Sequence, residues 1–330
     1  PFRQQRANVR LMPELRLATF NCENLMMRCD FRKAGIANAR QRLTDVDNAL
    51  VAEQVDSVFD VLSEDDRTLT AQALAATEAD VCVLQEVENL VALTAFDTRY
   101  IARWAGQPFT ERVLHEGNDS RGIDVALLSR LPVVYQRSHA RRTFGALGVA
   151  PPRGNSVNDY AFRRDCLEVD VMKDGRVLTL FVCHFKSMHG GRKKTRNVRL
   201  AEAAAVRQLI RLRFTNPADE DWVVLGDFND YREVDGVAVG NSGLGPLLDD
   251  GFAVDLACRA IPDAFDRWTH HYPEDDTYGA LDHILLSPRL AAQNPAPATR
   301  IIRAGSPYHA ARYTGPRFPG IGWMAPKASD

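Results

Sequence analysis

The sequence predicts an α/β fold. Two observations carry this expectation: helical periods of apolar residues alternate with short apolar runs of strand length, and the two follow one another at close spacing. A third observation concerns how those runs end, since several stop at a polar residue suited to phosphate or metal chemistry.

The elements follow in order. Residues 15–20 read as a strand running into Asn21, and residues 36–62 carry Leu43, Val46, Leu50, Val55, Val58, Phe59 and Leu62 on one face of an amphipathic helix expected only to pack. A second helix is expected over 68–79, followed at once by the buried strand 81–84. Further strands are predicted at 123–129, 166–172, 177–185 and 222–225, with a hairpin at Lys173-Asp-Gly-Arg176 because Asp-Gly between apolar runs is a strong turn signal. Leu200, Ala203, Val206, Ile210 and Phe214 mark one face of a helix stopped near Asn216-Pro217, and 281–287 is the last clear strand. Residues 291–330, rich in Pro and Gly, read as a long irregular excursion. With no linker, repeat or low-complexity segment, residues 1–330 are expected to form one domain, with a helical insertion around 30–65.

Composition narrows the class. The 330 residues hold 41 Lys+Arg against 43 Asp+Glu and are 45% hydrophobic, which predicts a soluble globular chain with a sizeable core and excludes disorder, collagen and coiled coil. No apolar run approaches the length of a membrane-spanning helix. A net charge of −2 excludes a globally basic nucleic-acid binder but leaves local basic patches open. The six cysteines are far apart and lack a C-x-x-C pair, so reduced buried thiols and a cytoplasmic setting are expected, unless a leader was removed ahead of Pro1.

The candidate site lies at the strand ends Phe20-Asn21, Leu84-Gln-Glu86, Cys183-His-Phe-Lys186 and Leu225-Gly-Asp-Phe-Asn229. Singly, Asp227 suits a turn, Glu86 a strand-end cap and His184 a core histidine. Together, such ends converge on one edge of an α/β sheet, where ligands bind. Alternation points His184 with Lys186 and Asp227 with Asn229, each pair anchored by an intervening Phe. Phosphodiester hydrolysis needs this inventory. Glu86 and Asn21 supply oxygen ligands for Mg²⁺, with Mn²⁺ the alternative ion. Asp227 can orient and deprotonate water, and Asn229, His184 and Lys186 can donate to charged phosphoryl oxygens. H-E-x-x-H, G-x-S-x-G, Walker and G-x-G-x-x-G signatures are missing from the sequence.

The constellation resembles the endonuclease/exonuclease/phosphatase superfamily, which includes deoxyribonuclease I, apurinic/apyrimidinic endonucleases, sphingomyelinases and inositol polyphosphate 5-phosphatases. The matching segments, in family order, are Ala18-Thr-Phe-Asn-Cys-Glu-Asn-Leu25, Val83-Leu-Gln-Glu-Val87, Gly122-Ile-Asp-Val-Ala-Leu-Leu-Ser-Arg130, Cys183-His-Phe-Lys-Ser187, Leu225-Gly-Asp-Phe-Asn229 and Leu281-Asp-His-Ile-Leu-Leu-Ser287. The resemblance implies a deoxyribonuclease I-like, four-layer α/β/β/α sandwich of two facing mixed sheets. It also implies that Asn21 and Glu86 are metal-site residues, His184 contacts phosphate, Asp227 and Asn229 orient water, and Asp282 buttresses a catalytic histidine. His283 follows Asp282 and faces the other side of its strand, so that histidine's role is not carried to it. The family's C-terminal Ser-Asp-His motif matches Ser329-Asp330, with Asp330 at a second-metal or water-orienting position. The chain is expected to continue past Asp330 to the histidine and the family's last strand; the alternative is a protein that lacks a main catalytic group and is severely impaired.

Two basic stretches bear on the substrate. Residues 186–199 contain Lys186, Arg192, Lys193, Lys194, Arg196 and Arg199 with no acid, and residues 137–164 contain Arg141, Arg142, Arg153 and Arg163 against only Asp159. Basic loops beside a phosphate site suit a polyanion, so a metal-dependent nuclease with Lys186, Arg192, Lys193 and Lys194 on the nucleic-acid substrate is the first expectation. The alternatives are a phosphodiesterase or phosphatase acting on a phospholipid headgroup or inositol phosphate, and a non-catalytic phosphate- or nucleic-acid-binding member. Tyr308, His309, Tyr313, Phe318 and Trp323 are expected to pack beneath the C-terminal excursion, and His270 is a further candidate near the site.

Overall fold

The computed structural model describes residues 14–26, 28–30, 40–42 and 64–329. In chain order the principal elements are β1 (Leu17–Leu25), α1 (Glu64–Ala76), β2 (Val81–Val87), α2 (Leu90–Phe96), β3 (Glu111–Leu114), β4 (Asp124–Ser129), β5 (Val133–Ser138), β6 (Cys166–Lys173), β7 (Arg176–His184), α3 (Arg192–Arg213), β8 (Trp222–Asp227), β9 (Val254–Asp255), β10 (His270–Tyr272), β11 (Thr277–Gly279) and β12 (Asp282–Leu286).

Two mixed sheets face each other. One has the order β1, β2, β4, β3, with β1 parallel to β2 and the other pairs antiparallel. The other has the order β9, β12, β8, β7, β6, β5, in which only β8 and β7 run parallel. The central strands are apolar on both faces because both faces are covered. Val83, Val125 and Leu127 meet Leu180, Val182, Val223 and Leu225 between the sheets. Cys82, Leu84 and Leu128 turn outward onto Ala71 and Leu74 of α1 and Leu93 and Phe96 of α2. Phe181, Cys183, Trp222 and Val224 turn the other way onto Ala203, Val206 and Ile210 of α3. The result is the expected four-layer α/β/β/α stack, held mainly by apolar burial.

Local signals hold where physics is local. Lys173 pairs with Arg176 across a turn whose Asp174 and Gly175 have φ of 51° and 78°, as a tight hairpin requires. Helix α3 closes at Phe214, ahead of a 3-10 turn beginning at Pro217. The expectation of helix over 36–62 is corrected at Arg40–Arg42, which pairs antiparallel with Arg28–Asp30 as a short ladder; the remainder of that segment lies outside the described residues, as does Asp330. Strands β3 and β5 and helix α2 carry no sequence signal strong enough to be read. The two strands are sheet edges with mixed exposure, and α2 is shorter than the window over which a helical period shows.

The C-terminal excursion packs back on the body. Ile321 and Ala328 bury against Leu69 and Ala73, and Tyr313 packs on the cluster of Trp268, Tyr278 and Ala310, whereas Tyr308 and Trp323 stay exposed. Cys22, Cys82, Cys166, Cys183 and Cys258 are free thiols, all but Cys258 buried. Among the described residues no helix is long and apolar enough to cross a membrane.

Candidate active site

The sheets bring their polar strand ends to one cleft. Asn21 comes from β1, Glu86 from β2, His184 from β7, Asp227 from β8 and Asp282 from β12, and Lys186 and Asn229 follow β7 and β8; all seven line the cleft. Register fixes the juxtaposition, because Asp227 lies opposite His184 on one side and Asp282 on the other. Gly226 makes it possible. Its φ is 144°, and a Cβ there would stand 1.9 Å from the Cys183 carbonyl oxygen.

Asp227 is held through both carboxylate oxygens. Its Oδ2 accepts a hydrogen bond from Asn21 Nδ2 at 3.0 Å and its Oδ1 accepts one from the Asn229 backbone N–H at 2.8 Å. The Asn229 side chain donates to the Phe185 carbonyl at 3.1 Å, tying the β7 and β8 ends together. His184 Nε2 stands 3.7 Å from Asp227 Oδ2 and 4.0 Å from Glu86 Oε1, while its buried Nδ1 has no hydrogen-bond partner among the described residues. Glu86 and Asn229 occupy left-handed backbone at φ of 65° and 50°, a strained conformation that clusters at functional sites. Behind them Phe185 stacks on Phe228 at 4.9 Å and Phe228 on His283 at 5.4 Å. His283 faces away from Asp282 as expected, its ring nitrogens 3.3 Å from Asp255 Oδ2 and 3.1 Å from the Asp230 carbonyl.

Burial and then the neighbouring Asp282 push the Asp227 carboxyl up to about 8, against the opposing hydrogen bonds from Asn21 and Asn229. His184 is shifted the other way. Burial, followed by the positive charge of Arg164, holds its imidazole neutral at pH 7.

A model of the endonuclease/exonuclease/phosphatase family matches residues 18–298, a span that contains every one of these residues. The chain belongs to this family. Similar solved structures include sphingomyelinase C from Streptomyces griseocarneus, at 16% identity over 87% of this chain and 86% of that one, with a TM-score of 0.48. A family protein from Bacteroides thetaiotaomicron shows 14% identity over 83% of each chain and a TM-score of 0.47. The catalytic domain of human nocturnin with bound sulfate shows 14% identity over 69% of this chain and 77% of that one, with a TM-score of 0.46. No curated protein matches the chain.

Members of the endonuclease/exonuclease/phosphatase family are hydrolytic phosphoesterases and generally use divalent metals. Among the described residues no three His, Cys, Asp or Glu side chains form a ready-made metal cage. The donor set nonetheless fits a hard cation that keeps most of its waters: Glu86 offers a carboxylate and Asn21 an amide oxygen. Asp227 and Asp282, set opposite one another in the paired strands, add negative charge in the same cleft that such a cation offsets.

The cations are distributed differently from expectation. Lys186 lines the cleft, but Arg192 does not, because its guanidinium donates to buried Asp230 at 2.7 Å and lies over Tyr231. Lys193 and Lys194 sit exposed on the first turn of α3, also outside the cleft lining. Two further cations line the cleft: Arg164, which closes the second basic stretch, and Arg121, which lies outside both stretches. Asp119 accepts from Arg121 Nε at 3.1 Å and Nη2 at 3.0 Å and from Arg164 Nε at 2.8 Å. Arg164 Nη1 also donates to the Phe185 carbonyl at 2.7 Å, bracing the backbone just after His184. The only sequence signal for Arg121 was position, since it immediately precedes the Gly122–Arg130 segment. Thr269 was unread as a partner of Asp282, to which its hydroxyl donates at 2.7 Å.

Proposed function

We propose that this family member is a divalent-metal-dependent phosphodiester hydrolase acting on nucleic acid, with Asp227 orienting the attacking water. The observation that carries the reading is the double anchoring of Asp227 by Asn21 and Asn229 at a shared strand edge with His184 and Glu86.

Each residue has a task in this reading. Asp227 is fixed through both oxygens, so the lone pair that meets water is set before substrate arrives. Burial and the charge of Asp282 make its carboxylate form strongly basic, and a cation held beside it would favour that ionised form. Neutral His184 acts as a hydrogen-bond donor to the phosphoryl oxygens, and Asp282 holds negative charge against Asp227. Glu86 and Asn21 hold Mg²⁺ or Mn²⁺, which when bound supplies positive charge to the phosphoryl oxygens. Asn229 positions Asp227 and the β7 end, a more specific task than donating to phosphate.

Nucleic acid is favoured by the cations. Arg121, Arg163, Arg164 and Lys186 line the cleft together, and Arg141 lies next to it, donating to the cleft residue Asn118 at 2.9 Å and stacking over the exposed Tyr160 ring. Arg164 is buried and committed to Asp119 and the Phe185 carbonyl, so the groups left to meet phosphates on either side of the one cleaved are Arg121, Arg163, Arg141 and Lys186. The test compares cleavage of plasmid DNA and RNA with hydrolysis of sphingomyelin and of an inositol phosphate, all in Mg²⁺. Polymer cleavage that declines steeply with salt supports the reading; hydrolysis of the small phosphoesters alone overturns the nucleic-acid part of it.

A further inference from the structure

Strand β10 brings a polar group to the cleft that the mechanism above does not use. His270 and Tyr272 are alternate residues of this strand and share a face, and both line the cleft with Asp227, Asn229 and Asp282. The Tyr272 ring is clamped edge-on between two others, His270 at 4.3 Å and Tyr231 at 6.2 Å. Tyr231 is itself fixed. The Arg192 guanidinium lies 4.6 Å over its ring, and a Cβ at Gly279 would come within 3.2 Å of it. The clamp leaves the Tyr272 hydroxyl oxygen buried, with no hydrogen-bond partner among the described residues.

A buried phenol without a partner is costly and uncommon. Tyr272 lines the same cleft as the candidate general base Asp227, where a bound ligand can supply the partner. We propose that Tyr272 is a further catalytic residue whose hydroxyl donates a hydrogen bond to a phosphoryl oxygen of the bound diester, one that gains charge in the transition state. This inference rests on the phosphodiesterase reading and extends it. Burial, then the nearby Tyr231 and Asp227, raise the phenol's pKa, so the hydroxyl keeps its proton and serves as donor rather than base. No proton is transferred to or from it, and the hydrogen bond strengthens as negative charge develops on the oxygen it meets.

The test is Tyr272→Phe, which removes the oxygen and keeps the ring clamp. Wild type and variant are compared on bis(p-nitrophenyl) phosphate and on a duplex oligonucleotide in Mg²⁺, each well below its own Tm. The expected result is a kcat about 10- to 100-fold lower on both substrates, KM within about twofold, and a Tm equal to or above wild type. A purely structural tyrosine would instead lower Tm and leave kcat within about twofold of wild type. An active wild type matched by Tyr272→Phe overturns this proposal alone. A wild type that hydrolyses neither substrate overturns the phosphodiesterase reading and this proposal with it.

Discussion

Asp227 and Asp282 face each other across the paired strands β8 and β12, and the charge of Asp282 helps hold the Asp227 carboxyl at a pKa of about 8. Two acids set opposite one another cost stability, and each shifts the titration of the other. The arrangement therefore separates activity from stability. Asp227→Asn should lower kcat by about 10²- to 10⁴-fold, the range for loss of a general base, while Tm changes by only a few degrees, because the relief of like charge opposes the loss of one of the two accepted hydrogen bonds. Steady-state kinetics and thermal melts on the same preparation check this.

Glu86 is assigned to the metal. Glu86→Gln keeps the shape and removes the charge, so it should weaken Mg²⁺ or Mn²⁺ binding by about 10-fold or more, read by calorimetric titration of the protein without substrate. Unchanged metal affinity would remove Glu86 from the metal site.

The cations fall into two groups with opposite expected effects. Arg121→Ala or Lys186→Ala, at the cleft, should raise KM for DNA and reduce the slope of log affinity against log salt by about one per residue. Arg192→Ala should leave that slope alone and cost about 1–3 kcal/mol of stability, because it strips a charge-assisted partner from buried Asp230. Filter binding across salt and urea denaturation separate the two outcomes.

His283 and Asp255 form a buried pair behind the site, and its contribution should depend on pH from both sides. Burial opposes the charged form of His283, but the hydrogen bond it donates to Asp255 more than offsets this and raises the pKa; this stability is fully present below the unfolded histidine pKa and fades as pH rises through the folded value. Burial likewise opposes the Asp255 carboxylate, yet His283 draws its pKa below the usual range, so its share is present above the unfolded carboxylate pKa and fades as pH falls. Wild type should exceed His283→Gln by about 3 kcal/mol between those limits, with a smaller gap at either extreme. Denaturation of both proteins at a series of pH values reads the gap.

Gly226 has a steric task. Gly226→Ala places a methyl group 1.9 Å from the Cys183 carbonyl oxygen at a φ of 144°, so it should cost about 3 kcal/mol or more and part the β7 and β8 ends that carry His184 and Asp227. Urea denaturation reads the loss.

The legible part of the molecule was what local chemistry dictates. Asn21, Glu86, His184, Asp227 and Asn229 stood out because each interrupts or ends an apolar run, and a buried strand shows its polar end in sequence. Arg121 and Thr269 did not, because a loop has no period to mark them, and the basic stretch that ends at Arg164 gave no sign of its internal partners Asp119 and Phe185, which lie far along the chain. Arg192 sits differently from expectation for the related reason that a charge count is blind to an internal partner, here Asp230. The Tyr272 hydroxyl shows as unpartnered only once Tyr231 and His270 are seen to clamp its ring.

The most direct test of the central claim is nicking of supercoiled plasmid by the purified protein in Mg²⁺, with EDTA and Asp227→Asn as the two arms. The account predicts nicking that needs the metal and falls at least about 100-fold in the variant. Nicking that persists in EDTA, or that Asp227→Asn leaves intact, would contradict it.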